Sequence, residues 1–149
     1  VVNRLVDIVK PGKLYLGQKD FQKSRVLNKM IKQLQIETEI IICKTHREPD
    51  GLAMSSRNLR LNEAEREKAP GIYADLLSIK NNITAGDIEP LNKSARHFLT
   101  ERGFKVDYVE IALADTLAIS QKWDGKTALV ALAAAYLNEV RLIDNIHLD

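Results

Sequence analysis

A strand, a helix and a second strand fit between residues 12 and 45, and no other feature narrows the fold of this chain as far. "GKLYLG" is short, apolar and closed by a glycine. "KDFQKSRVLNKMIKQLQ" follows, with Val26, Leu27, Met30, Ile31 and Leu34 at helical spacing, and "TEIIICKT" then reads as a buried strand. Two strands joined by one helix form a parallel βαβ unit. In open α/β sheets ligands bind beyond the carboxyl ends of the strands, which here is the turn Gly17-Gln18-Lys19-Asp20.

Before this unit, Val2, Leu5, Val6 and Val9 share one helical face that ends at Pro11-Gly12. The chain opens without Met in what reads as the middle of a helix, as a piece of a longer protein would. After Thr45 the texture changes to a polar connection, "HREPDGLAMSSRNLRL". The expected division is therefore residues 1–45, the remnant of a Rossmann-like nucleotide-binding domain, and residues 46–149, a smaller carboxyl-terminal domain. In the second part Asn62 and Glu65 have the spacing of a capping box, Pro70-Gly71 should split the helical region, and a helix over residues 88–102 should bury Leu91, Ala95, Phe98 and Leu99 and stop at Gly103. Three strand-like runs follow, with turns at Asp124-Gly125 and Leu137-Asn138. "TALVALAAAY" also suits a helix, but the turns on both sides favour a buried central strand.

Composition excludes several classes. With 45% hydrophobic and 28% charged residues the chain is a folded globular protein, and a net charge of +2 gives no basis for a nucleic-acid or membrane partner. "KSRVLNKMIK" reads as the solvated face of an amphipathic helix. The single cysteine, Cys43, lies in an apolar run and reads as a buried structural thiol in a reducing compartment. No run approaches the roughly 18 apolar residues of a membrane span and no signal-peptide pattern occurs, so a cytoplasmic location is expected.

Two loops carry candidate chemistry. In the first, Gly17 permits close backbone approach, Lys19 is a cation, and Asp20 can accept hydrogen bonds from ribose hydroxyls or, alternatively, cap the following helix. In the second, Ser55 and Ser56 offer hydroxyl donors and Arg57 a permanent fork for phosphate oxygens. The serines can equally make local turn bonds. There is no P-loop, no G-x-G-x-x-G and no cysteine/histidine cluster. Of the three histidines, His97 reads as structural or exposed and His147 lies near a terminus, while His46 ends the second strand, where its backbone can border an adenine.

Taken in order, "PGKLYLGQKDFQ", "REPDGLAMSSRNLRL", "AP" with "GIY", "ADTL" and "RLIDN" resemble the pantoate-β-alanine ligase family over essentially the whole chain. The resemblance implies a partial Rossmann-like nucleotidylyltransferase βαβ unit, followed by a lid-like domain of helices and an antiparallel three-stranded sheet. It implies an ATP- and Mg2+-dependent condensation of pantoate with β-alanine through a pantoyl-adenylate, with no metal held directly by protein ligands and a homodimer when full length. Residue by residue, it places Gly17, Gln18, Lys19 and Asp20 against the adenylate, the main chain of His46 at adenine, and Met54, Ser55, Ser56 and Arg57 in a flexible phosphate-binding segment that Gly51 lets move. Lys19, Ser55, Ser56 and Arg57 are the implied catalytic set.

Two departures stand out. Lys23 occupies the position where the family has a glutamine that hydrogen-bonds pantoate; a lysine there can pair with the carboxylate, hold that nucleophile back or face solvent. The family's amino-terminal half carries an H-x-G-H element, and no H-x-G-H occurs in these 149 residues. The isolated chain is therefore expected to be inactive or nearly so. The alternatives are a non-catalytic nucleotide-binding module of the same fold, or a related nucleotidylyltransferase with another acid acceptor.

Overall fold

The computed structural model describes residues 1–148, which form two compact units divided between residues 45 and 46.

In the first unit, helix α1 (Val2–Val9) ends at Lys10, whose left-handed φ of 45° closes the last turn with a bond from its N–H to the Val6 carbonyl. Strands β1 (Lys13–Gly17) and β2 (Glu39–Cys43) pair in parallel, Lys13 opposite Glu39 and Gly17 opposite Cys43. Thr38 Oγ1 donates to the Pro11 carbonyl at 2.8 Å and Glu39 N–H to that of Gly12 at 3.0 Å, so the strands enter the sheet together. Between them runs α2 (Phe21–Gln33), as the βαβ reading requires.

The buried stripe of α2 is Phe21, Ser24, Leu27 and Ile31, whereas Val26 and Leu34 are exposed. A helix over two strands buries only a narrow stripe, and Phe21 rotates it away from Val26. Cys43 is also exposed, which corrects the expectation of a buried thiol on a buried strand: among the described residues no third strand flanks β2.

In the second unit the capping box forms as its spacing predicts. Asn62 Oδ1 accepts from Glu65 N–H at 2.9 Å and Glu65 Oε2 accepts from Asn62 N–H at 3.0 Å, which starts α3 (Glu63–Lys68) and stabilises it by about 1 kcal/mol. Pro70 then separates α3 from α4 (Gly71–Asn82). Strand β3 (Gly86–Asp87) precedes α5 (Glu89–Glu101), which ends in a Schellman motif: Gly103, at φ 84°, donates to the Thr100 carbonyl and Phe104 N–H to that of Leu99. Along α5, Ala95 and Leu99 are buried with Asn92, while Leu91 and Phe98 pack against the core only partly covered.

Strands β4 (Lys105–Leu113), β6 (Leu129–Leu137) and β7 (Val140–His147) form an antiparallel sheet in the order β4-β6-β7. The alanine-rich run is thus the central strand, and its small side chains let helices α4 and α5 pack closely on one face. Leu76, Leu99, Val109, Ala131 and Ala135 are fully buried in that core. The β6–β7 turn is made by Asn138 and Glu139 between the paired Leu137 and Val140, one residue later than the sequence reading placed it. A small ribbon pairing β3 with β5 (Lys122–Trp123) carried no signal in the sequence, because each strand is two residues long. No helix among the described residues is long and apolar enough to cross a membrane.

Candidate active site

The turn at the carboxyl end of β1 is built as a short 3-10 segment, Gln18–Asp20, running into α2. Gly17 has an ordinary extended backbone, φ −73°, and a Cβ built on it would meet no atom within 4 Å. Neither strain nor packing inside the chain calls for glycine there; what glycine adds is open space over the backbone. Gln18 and Lys19 are half-buried and Asp20 is exposed. Asp20 holds the N-cap position of α2 but makes no capping hydrogen bond, so its carboxylate remains available to another donor. Lys23 lies on the exposed side of the first turn of α2.

In the second unit, residues 46–54 fold into a tight hairpin-like loop. Arg47 and Ala53 form an antiparallel bridge, Met54 N–H donates to the His46 carbonyl at 2.9 Å, and Glu48 N–H donates to the Leu52 carbonyl at 2.8 Å. His46 and Met54 are therefore neighbours, while the His46 side chain is exposed. Leu52 and Ala53 are buried, so the loop is pinned by apolar contact immediately before the polar residues begin.

Gly51, the point at which the resemblance lets the segment move, sits in a packed turn. Its φ is 92°, its N–H donates to the Glu48 carbonyl at 2.9 Å, and an added Cβ would lie 2.6 Å from Tyr73 Cδ1. Glycine is needed here for a left-handed turn pressed against an aromatic ring.

From this base Met54, Ser55, Ser56 and Arg57 emerge. Ser55 Oγ accepts from Arg57 N–H at 3.2 Å, one of the local turn bonds anticipated for these serines, and it caps the 3-10 segment Ser56–Arg60. Asn58 Nδ2 donates to the Ala53 carbonyl at 3.1 Å and ties the far end back. The Ser56 and Arg57 side chains are exposed, and among the described residues Arg57 makes no ion pair. An exposed guanidinium and hydroxyl on a backbone tied at both ends form an arrangement suited to an anion with several oxygens.

Several residues that shape this region escaped the sequence reading. Arg47 forms a fork with Asp144 of β7, Nη1 to Oδ2 at 2.6 Å and Nη2 to Oδ1 at 3.1 Å, and the Asp144 side chain is 0% exposed. The Arg47 guanidinium also stacks 3.7 Å from the Tyr73 ring centroid. Asp50, paired with Arg66 at 2.5 Å, has its carboxyl held below the ordinary range by that hydrogen bond. The one available signal was an aspartate set inside the apolar run "LIDNI", which names no partner 97 residues away. His97 is exposed and pairs with Glu101 at 3.2 Å, in line with its structural reading.

Fold and loops together define a mixed α/β chain, a parallel βαβ unit and a second unit of helices on a three-stranded antiparallel sheet. The chain belongs to the pantoate-beta-alanine ligase family, whose sequence model matches residues 1–147. It is 43% identical over 150 residues to pantothenate synthetase of Neisseria meningitidis serogroup C, covering 99% of this chain and 53% of the relative. It is 45% identical over 148 residues to pantothenate synthetase of Chromobacterium violaceum, covering 98% and 53%. The crystal structure of pantothenate synthetase from Thermus thermophilus matches with a TM-score of 0.88 at 32% identity, over 99% of this chain and 53% of that one. Pantoate-beta-alanine ligase from Francisella tularensis, complexed with beta-gamma ATP and beta-alanine, matches with a TM-score of 0.71 at 33% identity, over 99% and 48%. The chain spans about half the length of the curated relatives it matches.

Proposed function

We propose that this chain is the part of an ATP-dependent pantoate-β-alanine ligase that carries one side of the adenylate site. The observation that carries the reading is the exposed Ser56 and Arg57 on an anchored segment, in a chain that matches the family model from residue 1 to 147. In the reaction, a pantoate carboxylate oxygen bonds to the α-phosphorus of ATP and pyrophosphate leaves with the bonding pair. The β-alanine amine then bonds to the activated acyl carbon, loses a proton, and AMP leaves.

In this reading Arg57, Ser55 and Ser56 hold phosphate oxygens as charge builds on them, and Lys19 adds a second cation. Gly17 leaves room for the nucleotide over the end of β1, Gln18 borders it, and Asp20 accepts from ribose hydroxyls. The main chain at His46 faces adenine, with Met54 beside it. Among the described residues no group of three His, Cys, Asp or Glu gathers as a metal site. The donors present, hydroxyls and cationic groups, suit phosphate oxygen, so Mg2+ enters the proposal as the counter-ion of the nucleotide. A cytoplasmic homodimer belongs to the same reading.

The test is AMP release by the whole gene product carrying this sequence, with ATP, Mg2+, pantoate and β-alanine added separately and together. Release that needs both acids supports the ligase. Nucleotide binding with no AMP formed from either acid would move the function to a nucleotide-binding module or another acid acceptor, and normal turnover by the 149-residue chain alone would overturn the one-sided site. In the whole enzyme Arg57→Ala should lower kcat/KM at least about tenfold, about 1.4 kcal/mol of transition-state stabilisation. Unchanged kinetics would remove Arg57 from the site.

Lys23 favours one further distinction. On the ligase reading it pairs with the pantoate carboxylate, and Lys23→Gln should change the pantoate KM while leaving that of β-alanine alone. An unaltered pantoate KM would put Lys23 outside the pocket and leave it as a solvated helix residue.

A further inference from the structure

We propose that Arg47 is a positioning residue, clamped between Asp144 and Tyr73, that fixes the direction in which the Met54–Arg57 segment leaves the body of the second unit. The kinetic consequence rests on the ligase reading; the structural consequence does not.

Arg47 connects three separate parts of the unit. Its fork binds the buried Asp144 on the outer strand β7, its guanidinium lies on the Tyr73 ring of α4, and Nη1 donates to the Gly51 carbonyl at 3.1 Å. Its backbone forms the bridge to Ala53, one residue before Met54. The same residue thus holds the loop through main chain and side chain, and ties it to sheet and helix at once. The Arg47 side chain is 19% exposed, so the clamp works largely out of water, where a fork is strong and an unpaired carboxylate is costly.

Tyr73 acts from the other side. It packs so closely on Gly51 that no side chain fits there, which keeps the turn at residues 48–51 in one shape. A loop closed this way delivers Ser55, Ser56 and Arg57 at a set place, where they meet the phosphates of the nucleotide already on binding, so a loosened loop weakens the hold on ATP.

Arg47→Lys is the informative change, because lysine keeps a positive charge beside Asp144 but cannot fork to it, reach Gly51 as well and stack on Tyr73. Hydrogen exchange on the 149-residue chain should show the Leu52 and Met54 amides opening about tenfold faster or more. Ile79→Val, a core change on α4, should lower the melting temperature without selectively speeding those two amides. Tyr73→Leu, which removes the stack and the ring packed on Gly51 but keeps the Arg47–Asp144 fork, should move them in the same direction by less.

In the whole gene product Arg47→Lys should raise the KM for ATP at least about fivefold, with β-alanine KM unchanged. A merely structural role would lower the fraction of active enzyme, and so Vmax, at constant KM. Wild-type exchange rates at Leu52 and Met54 in Arg47→Lys, or a fall in Vmax at constant ATP KM, would overturn the proposal. If the wild-type protein makes no AMP from these substrates but the exchange result holds, the clamp stands and the ligase reading falls.

Discussion

In residues 46–149 the sheet β4-β6-β7 lies beneath α4 and α5, and Val109, Ile111, Ala131 and Ala135 have no accessible surface. In residues 1–45 the two-stranded sheet is covered far less: Tyr15 is 63% and Ile42 46% exposed, and α1 buries only Val6. A short unit with two strands cannot enclose its apolar residues, because covered area falls off steeply at small size. The same kind of side chain therefore stabilises one unit and lies open to solvent in the other. The difference extends to the candidate site: the Met54–Arg57 segment grows from a buried ion pair and a packed glycine, whereas the Gly17–Asp20 turn ends in an exposed carboxylate with no capping bond.

The largest effect that would sharpen this contrast is Leu76→Ala on α4. It removes a fully buried side chain and should cost about 3 to 5 kcal/mol in urea unfolding followed at Trp123, the sole tryptophan and a reporter of the second unit. A cost below about 1 kcal/mol would mean that this core is as loosely covered as the first unit.

Next is a pH effect at Asp75 on α4, which is 1% exposed with no hydrogen-bond partner for Oδ2. Burial pushes its carboxyl up from 3.8 to about 7, against the opposing charge of Arg102. Since the folded value is the higher one, the contribution of Asp75 to stability is greatest below about pH 4 and is lost as pH rises through about 7. The loss should amount to about 2 to 4 kcal/mol, and Asp75→Asn should remove most of that slope between about pH 4 and about pH 7. An identical slope in the variant would assign it to other groups.

The smallest expected effect is in the first unit. Ile42→Thr should change stability by less than about 0.5 kcal/mol, read by hydrogen exchange of the β2 amides, because little apolar area is lost to water. A cost of about 2 kcal/mol or more would show that Ile42 is covered in solution, and the contrast between the units would fail.

Local pattern was enough for much of this architecture. The parallel pairing of β1 and β2, the capping box at Asn62 and Glu65, the break at Pro70 and the Gly103 stop each depend on residues within a few positions of one another, or on a connection that permits one handed crossover. The candidate loops were legible for the same reason: "GQKD" and "MSSR" are contiguous, and their donors and charges need no distant partner to be recognised.

Tertiary structure decided what depends on distance and on covering. It paired Arg47 with Asp144 across 97 positions, packed Gly51 against Tyr73, rotated the buried stripe of α2 onto Phe21, and exposed Cys43. The physical reason is common to all four: sequence spacing sets which side chains share a face, but burial and ion pairing depend on what the rest of the chain brings against that face.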